Sequence, residues 1–241
     1  MERNDRPRHC LVTGANRGLG LEFVRQLLSR GDRVTATARH PGRANELNRL
    51  VGEHPGQLHV LPLDVASPRS HAELVRELPL LAGGEAPPPI DLLINNAGVL
   101  HSGERFGEVS SENLDDSLRT NASGPFLLTQ ALAPSLADGA TVANISSRLG
   151  SIASTGSFST PTYAISKAAL NMATVLLARA LSDRGITVIA LHPGWVRTDM
   201  GGASAEIEPS DAVSALLTVI GRASAADNGS FFDRHGAAVP W

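Results

Sequence analysis

The stretch His9-Cys10-Leu11-Val12-Thr13-Gly14-Ala15-Asn16-Arg17-Gly18-Leu19-Gly20-Leu21-Glu22-Phe23-Val24 decides the architecture. Its opening run has no polar alternation, which suits a strand buried on both faces, and a strand is expected over residues 9–13. A cluster of three glycines then turns the chain. From residue 19 to 29 the apolar positions change to helical spacing, with Leu21, Val24, Leu27 and Leu28 on one face and Gly31 just past the expected end.

The same alternation continues outward. Further strands are expected over 34–38, 58–63, 90–95, 141–146 and 187–191, with a short last one at 230–233. Helices are expected over 43–51, about 70–81, 161–182 and 210–220. One or two helical segments fall within 111–136, with Gly124-Pro125 as a kink or break. The Gly/Pro-rich connection at 82–89 reads as a surface loop, because strand and helix still alternate across it. Apolar strands separated by helices indicate an α/β, doubly wound parallel sheet of the Rossmann type with helices on both faces. Ligands of such sheets sit at the carboxyl ends of the strands.

The composition narrows the function classes. A chain of 241 residues, 42% apolar and 19% charged, fits one large domain. A single dinucleotide-binding catalytic domain over 1–241 is the expectation. A net charge of −3 leaves no basic footprint for nucleic acid or an acidic membrane. Cys10, the only cysteine, rules out an intramolecular disulfide and agrees with a reducing compartment. The polar first residues show no secretory h-region, so a cytoplasmic location is expected. The eight histidines show no metal-ligand spacing, and no metal is expected.

The glycine loop Gly14-x-x-x-Gly18-x-Gly20 opens a helix, so backbone amides and the positive end of the helix dipole can cradle a pyrophosphate. Gly14, Asn16, Arg17, Gly18, Leu19 and Gly20 are the expected nucleotide contacts. A P-loop is excluded, since no Gly-Lys-Ser/Thr step is present. At the end of the second strand an NAD site needs a carboxylate for the ribose 2′-OH. Here the chain reads Ala38-Arg39. Arg39 together with Arg17 would instead attract a 2′-phosphate, which selects NADP(H).

Two rare residues complete the chemistry. Lys167 is the only lysine, against 20 arginines, and it follows the only tyrosine, Tyr163, by four residues. On a helix that offset places phenol and ammonium side by side. A cation about 4 Å away at an effective dielectric near 20 stabilises a phenolate by roughly 4 kcal/mol, which brings a phenol from near 10 to around neutrality. Such a group is a competent general acid/base. Ser147, after the fifth strand, is placed to polarise a carbonyl, and alternation would aim its neighbour Ser146 the other way.

Taken together, Thr13-Gly14-x-x-x-Gly18-x-Gly20, Asp64-Val65, Asn95-Asn96-Ala97-Gly98, Asn121, Ser147, Tyr163-x-x-x-Lys167 and Pro193-Gly194 resemble the compact short-chain dehydrogenase/reductases along nearly the whole chain. Ala38-Arg39, the stretch Pro193 to Met200 and the tail Phe231 to Trp241 resemble the NADPH-dependent carbonyl reductases of the sniffer and C-factor type. The resemblance implies that Tyr163 is the general acid in reduction, that Lys167 holds the nicotinamide ribose, and that Ser147 binds the substrate oxygen. It implies that Asn121 fixes a water in a proton relay. Asp64 and Val65 would contact adenine, Asn95, Ala97 and Gly98 the adjoining ribose, and Pro193, Gly194, Val196 and Thr198 the nicotinamide end. A small-molecule carbonyl or alcohol is the implied partner, and a homo-oligomer, dimer or tetramer, the implied assembly.

Leu100, His101, Leu149, Phe158, Trp195 and Met200 are candidate pocket residues, with a short substrate lid around 199–210. An insertion over 151–160 lengthens the Ser147-to-Tyr163 spacing, and either the pocket wall or an interface would contain it. The reading from another class is a regulatory or signalling protein that binds NADP(H) with little turnover.

Overall fold

Apolar side chains on both faces of the strands require helices on both sides of the sheet. In β1 (His9–Val12), Cys10 and Val12 enter one core while Leu11 enters the other. The computed structural model describes residues 7–82 and 89–241. The polar start at residues 1–6 and most of the Gly/Pro-rich connection expected to be a surface loop lie outside the described residues.

Seven parallel strands form one sheet in the order β3-β2-β1-β4-β5-β6-β7. These are β1, β2 (Arg33–Ala38), β3 (Leu58–Pro62), β4 (Ile90–Asn95), β5 (Leu136–Ile145), β6 (Thr187–His192) and β7 (Phe231–Asp233). One face is covered by α1 (Gly18–Ser29), α2 (Asn45–Glu53) and α7 (Pro209–Arg222), which bring Phe23, Leu27, Leu47 and Leu216 into the first core. The other carries α3 (Pro68–Glu77), α5 (Gly124–Leu132) and α6 (Pro161–Ala180), with Leu74, Leu128 and Leu177 in the second. Each such fully buried side chain contributes about 2 kcal/mol of transfer free energy. The doubly wound parallel fold expected from the sequence is the observed one.

Several boundaries differ from expectation. The helix expected over 43–51 is a 3-10 turn at Pro41–Arg43 followed by α2. β5 begins five residues earlier than expected, at Leu136, and ends before Ser146. Gly124-Pro125 does not break the 111–136 region. α4 (Ser111–Leu118) passes through a π-helical turn, Arg119–Ser123, directly into α5, where Pro125 occupies a first-turn position that needs no N–H donor. Gly124 is there for closeness, since a Cβ on it would lie 2.5 Å from the Val65 carbonyl oxygen. Among the described residues no helix is long and apolar enough to cross a membrane.

The strand order reverses between β1 and β4, so the loops leaving them part and open a crevice at their carboxyl ends.

Candidate active site

A cleft of about 670 Å³ lies at this switch point, walled by the loops after β1 to β6. Gly14, Asn16, Arg17, Gly18 and Leu19 form its first wall. Gly14 has φ +62°, and a Cβ on it would meet the Ala97 Cα at 2.8 Å, so only glycine lets these two loops touch. Thr13 fastens them: its hydroxyl oxygen accepts the N–H groups of Asn96 and Ala97, each at 3.0 Å. The N-terminus of α1 behind this wall has no side-chain cap and no acid in its first turn. Its free amides and dipole therefore suit a pyrophosphate.

Gly20, expected to contact the nucleotide, is not part of the wall. A Cβ there would come within 2.2 Å of the Gly14 carbonyl oxygen, so this glycine serves helix-to-loop packing. Asn95 is a second correction. It is 2% exposed, and its amide donates to the Asn144 Oδ1 (2.8 Å) and the Thr129 hydroxyl (3.1 Å) inside the protein. As the last residue of β4 it points into the core, and Asn96, Ala97 and Gly98 reach the cleft instead. Asn96, within the Asn95-to-Gly98 stretch, takes the cleft side as its neighbour on the opposite face.

Ala38, Arg39, Leu63, Asp64 and Val65 line the next part of the cleft. Arg39 has no ion-pair partner among the described residues. Arg17 does: its guanidinium lies 3.0 Å from the Asp199 carboxylate, both side chains well exposed. The two arginines expected to act as a pair are thus in different situations.

Ser147, Tyr163 and Lys167 converge at the far end. The Lys167 Nζ is 5.4 Å from the centre of the Tyr163 ring, as a spacing of four on α6 requires, and donates to the Ile145 carbonyl at 2.7 Å. Ser147 lies near enough to the phenol to act on its ionisation. Ser146 is turned away, as alternation requires, and donates to Asn171 at 2.6 Å. Gly150 permits the turn carrying Ser147 to lie on α6, because a Cβ there would meet the Lys167 backbone at 2.6 Å.

The expected balance of the Tyr163–Lys167 pair is overturned. Burial pushes the Tyr163 phenol up to about 12, with the neighbouring Ser147 opposing it only in part. Burial also pushes Lys167 down to about 8. Desolvation disfavours the charged form of each group, and it is the leading cause of both shifts.

Asn121 sits in the π turn, is fully buried and does not line the cleft. Its side chain is occupied: Oδ1 accepts from the Val99 N–H, and Nδ2 donates to the Val99 carbonyl (2.8 Å) and the Ser166 hydroxyl (2.9 Å). Ser166 in turn donates to the Tyr163 carbonyl at 2.7 Å. Asn121 therefore braces the loop after β4 against α6. It lies close to the lysine, since a Cβ on Gly98 would be 3.1 Å from Asn121 Oδ1 and 3.9 Å from Lys167 Nζ.

Pro193, Gly194, Val196 and Thr198 line the wall after β6, as do Trp195 and Met200, while Leu100 and Leu149 face them from other loops. His101 and Phe158, expected in the pocket, are outside it. His101 pairs with Asp116 at 3.0 Å, and Phe158 packs edge-on against Phe106. The 151–160 insertion supplies a hydroxyl-bearing wall through Ser154, Thr155, Ser157 and Ser159. His192, read as structural, also lines the cleft. Burial pushes it down to about 4, so it stays neutral, and its Nδ1 accepts the Arg148 N–H at 3.3 Å.

A short chain dehydrogenase family model matches residues 8–208. The chain belongs to that family. It is 41% identical to the C-signal protein of Myxococcus xanthus over 155 residues, 64% of this chain and 93% of that protein. It is 31% identical to the 1-hydroxy-2-glutathionyl-2-methyl-3-butene dehydrogenase of a Rhodococcus species, over 96% of this chain and 98% of that one. Among solved structures, the NADPH-bound carbonyl reductase from chicken fatty liver superposes with a TM-score of 0.91 at 36% identity. The carbonyl reductase Sniffer of D. melanogaster does so with 0.92 at 32%. Both comparisons cover 98% of this chain and 100% of the other.

Proposed function

We propose that the protein is an NADPH-dependent reductase of aldehydes or ketones, with alcohol oxidation as the reverse reaction. The observation that carries this reading is the convergence of Ser147, Tyr163 and Lys167 at one end of a cleft whose other end is a glycine loop and an uncapped helix N-terminus. NADPH-bound and NADP-bound structures among its carbonyl-reductase and short-chain dehydrogenase neighbours support the choice of cofactor.

In this reading the loop Gly14 to Leu19 and the first turn of α1 hold the pyrophosphate, and Arg39 meets the 2′-phosphate. Asp64 and Val65 flank the adenine, Asn96 to Gly98 the ribose, and Val196 and Thr198 the carboxamide. Bound NADPH would supply the hydride. Ser147 donates to the substrate carbonyl oxygen and holds it beside Tyr163. Tyr163 keeps its proton until that oxygen gains charge, then delivers it, and the high pKa of the buried phenol keeps it loaded. Lys167 would hold the ribose hydroxyls of a bound nucleotide, and its ammonium would favour the ionised form of the tyrosine beside it. Asn121 acts through its bracing of Val99 and Ser166.

The segment around 199–210 is the lid of this single catalytic domain. Its far end is tied back to the residues that precede it by a bridge between Val196 and Ile207 and an Arg197–Glu208 ion pair. Assembly as a homo-oligomer belongs to the same reading, because α6 leaves Ile165, Met172 and Leu176 about half exposed on one face. A cytoplasmic site accords with a single buried thiol.

A signalling role is the second reading, favoured by the C-signal relative. A screen for NADPH oxidation over aldehydes, ketones and quinones, run beside Tyr163→Phe, separates the two. Turnover by the wild type that falls at least a hundredfold in the variant supports the reductase. Equal rates in both, or none in either, would sink it.

A further inference from the structure

The insertion over 151–160 supplies much of the substrate wall, yet every residue from Ile152 to Ser159 is exposed. A loop whose side chains are all exposed has little core to hold it, so beyond the Phe158–Phe106 contact its local stability rests on hydrogen bonds. At its start those bonds lead to one place. The Ser151 hydroxyl, fully buried, donates to the Pro240 carbonyl at 2.5 Å, and the Ala153 N–H donates to the Trp241 carbonyl at 2.9 Å. The Ser154 N–H and the Thr155 hydroxyl then bond back to Ser151, so the anchored residue carries the start of the wall.

Pro240 and Trp241 are themselves tied to the sheet. The Trp241 indole stacks on Phe231 of β7, with ring centres 5.6 Å apart and planes 21° from parallel. Phe231 is 2% exposed, and its carbonyl accepts the Val239 N–H at 2.8 Å. We infer that Pro240-Trp241 is a strap that sets the substrate wall, and that Trp241 is a specificity-determining positioning residue.

The catalytic end is held by other means. Asn171 donates to the Gly150 carbonyl at 3.1 Å, and Lys167 to that of Ile145. Loosening the strap therefore moves the wall and leaves Ser147, Tyr163 and Lys167 in place. The effect falls on large substrates, which reach the wall, and not on small ones. This substrate arm rests on the reductase reading above.

The test uses the full chain with Trp241→Ala, Trp241→Phe and, as a milder cut, Ser151→Ala. Hydrogen exchange is measured at 152–159 and along α6, and KM and kcat are measured with propanal and with benzil. In Trp241→Ala, exchange at 152–159 should rise about tenfold with α6 unchanged, and KM for benzil should rise about tenfold. Values for propanal should stay within about twofold, and Trp241→Phe, which keeps the stack, should restore both readouts. Ser151→Ala should repeat the exchange result in a chain with its aromatic stack intact. Unchanged exchange at 152–159, a rise of equal size throughout the chain, or an equal kcat loss for both substrates would overturn the proposal. If the wild type reduces no carbonyl, the reductase reading fails while the exchange data still decide the strap.

Discussion

The Glu104 carboxylate accepts both the main-chain N–H and the hydroxyl of Thr162, at 3.3 and 2.9 Å, one residue before Tyr163. It takes the place of an ordinary cap. Thr160, at the N-cap of α6, stands in the left-handed region (φ +41°) and makes no side-chain cap bond. A carboxylate from another segment thus satisfies the first turn of the helix that carries Tyr163 and Lys167, where the dipole also favours negative charge. Glu104→Ala should lower stability by about 1–2 kcal/mol. It should also reduce kcat more than it raises KM, with Glu104→Gln recovering part of each loss. Thermal melts and steady-state rates read both effects, and an unchanged melting temperature would show that the cap contributes nothing.

Arg39 lines the cleft beside Ala38 without an ion-pair partner among the described residues, whereas Arg17 is held by Asp199. Arg39→Asp should weaken NADPH binding on the order of a hundredfold and leave NADH within a few-fold. Arg17→Ala should cost NADPH less, because that guanidinium must first leave its carboxylate. Equal losses for the two nucleotides in Arg39→Asp would remove the 2′-phosphate role.

The single tyrosine makes the phenol directly visible. With the pKa pushed up to about 12 by burial, phenolate absorbance should be absent below about pH 10 in protein without nucleotide. Saturating NADP⁺, which places a second cation in the site, should move its appearance to lower pH. A tyrosine that titrates at its ordinary value in both conditions would contradict the burial described here.

Lys167 carries the opposite sign. Its folded pKa is lowered to about 8 from 10.5, so between these values the unfolded chain binds more protons and stability rises with pH. Below about pH 8 the buried ammonium exacts its full penalty, on the order of 3 kcal/mol. Lys167→Met removes this pH-dependent contribution. Its melting temperature relative to wild type should therefore be level below about pH 8 and fall between about pH 8 and pH 10.5. A constant difference would mean that the lysine titrates alike in both states.

The sheet, its layers and most of the cleft were legible because they rest on periodicity and on loops at strand ends. Strand and helix alternate in period along the chain, and glycine clusters mark where backbones meet. What escaped has a physical cause in each case. The π turn at Asn121 widens a helix by one residue without any change in hydrophobic spacing, so no pattern announces it. Asn95 and Asn96 share a motif, and only the pleat at the end of β4 separates core from cleft. Gly20 resembles a ligand glycine in sequence but serves packing, a distinction that only distances reveal. The pKa of Tyr163 depended on burial, which spacing does not measure. Glu104 reaches Thr162 across 58 positions, and long-range caps leave no local signature.

The lone lysine has a further consequence. Lys167 lies 4% exposed at the floor of the cleft, and the chain has no other side-chain amine. An amine-selective acylating reagent therefore meets one side-chain target, and that target lines the cleft. The rate at which the mass increment appears on the peptide that holds Lys167 is a clock for access to the cleft, and it runs in the unaltered protein without a substitution.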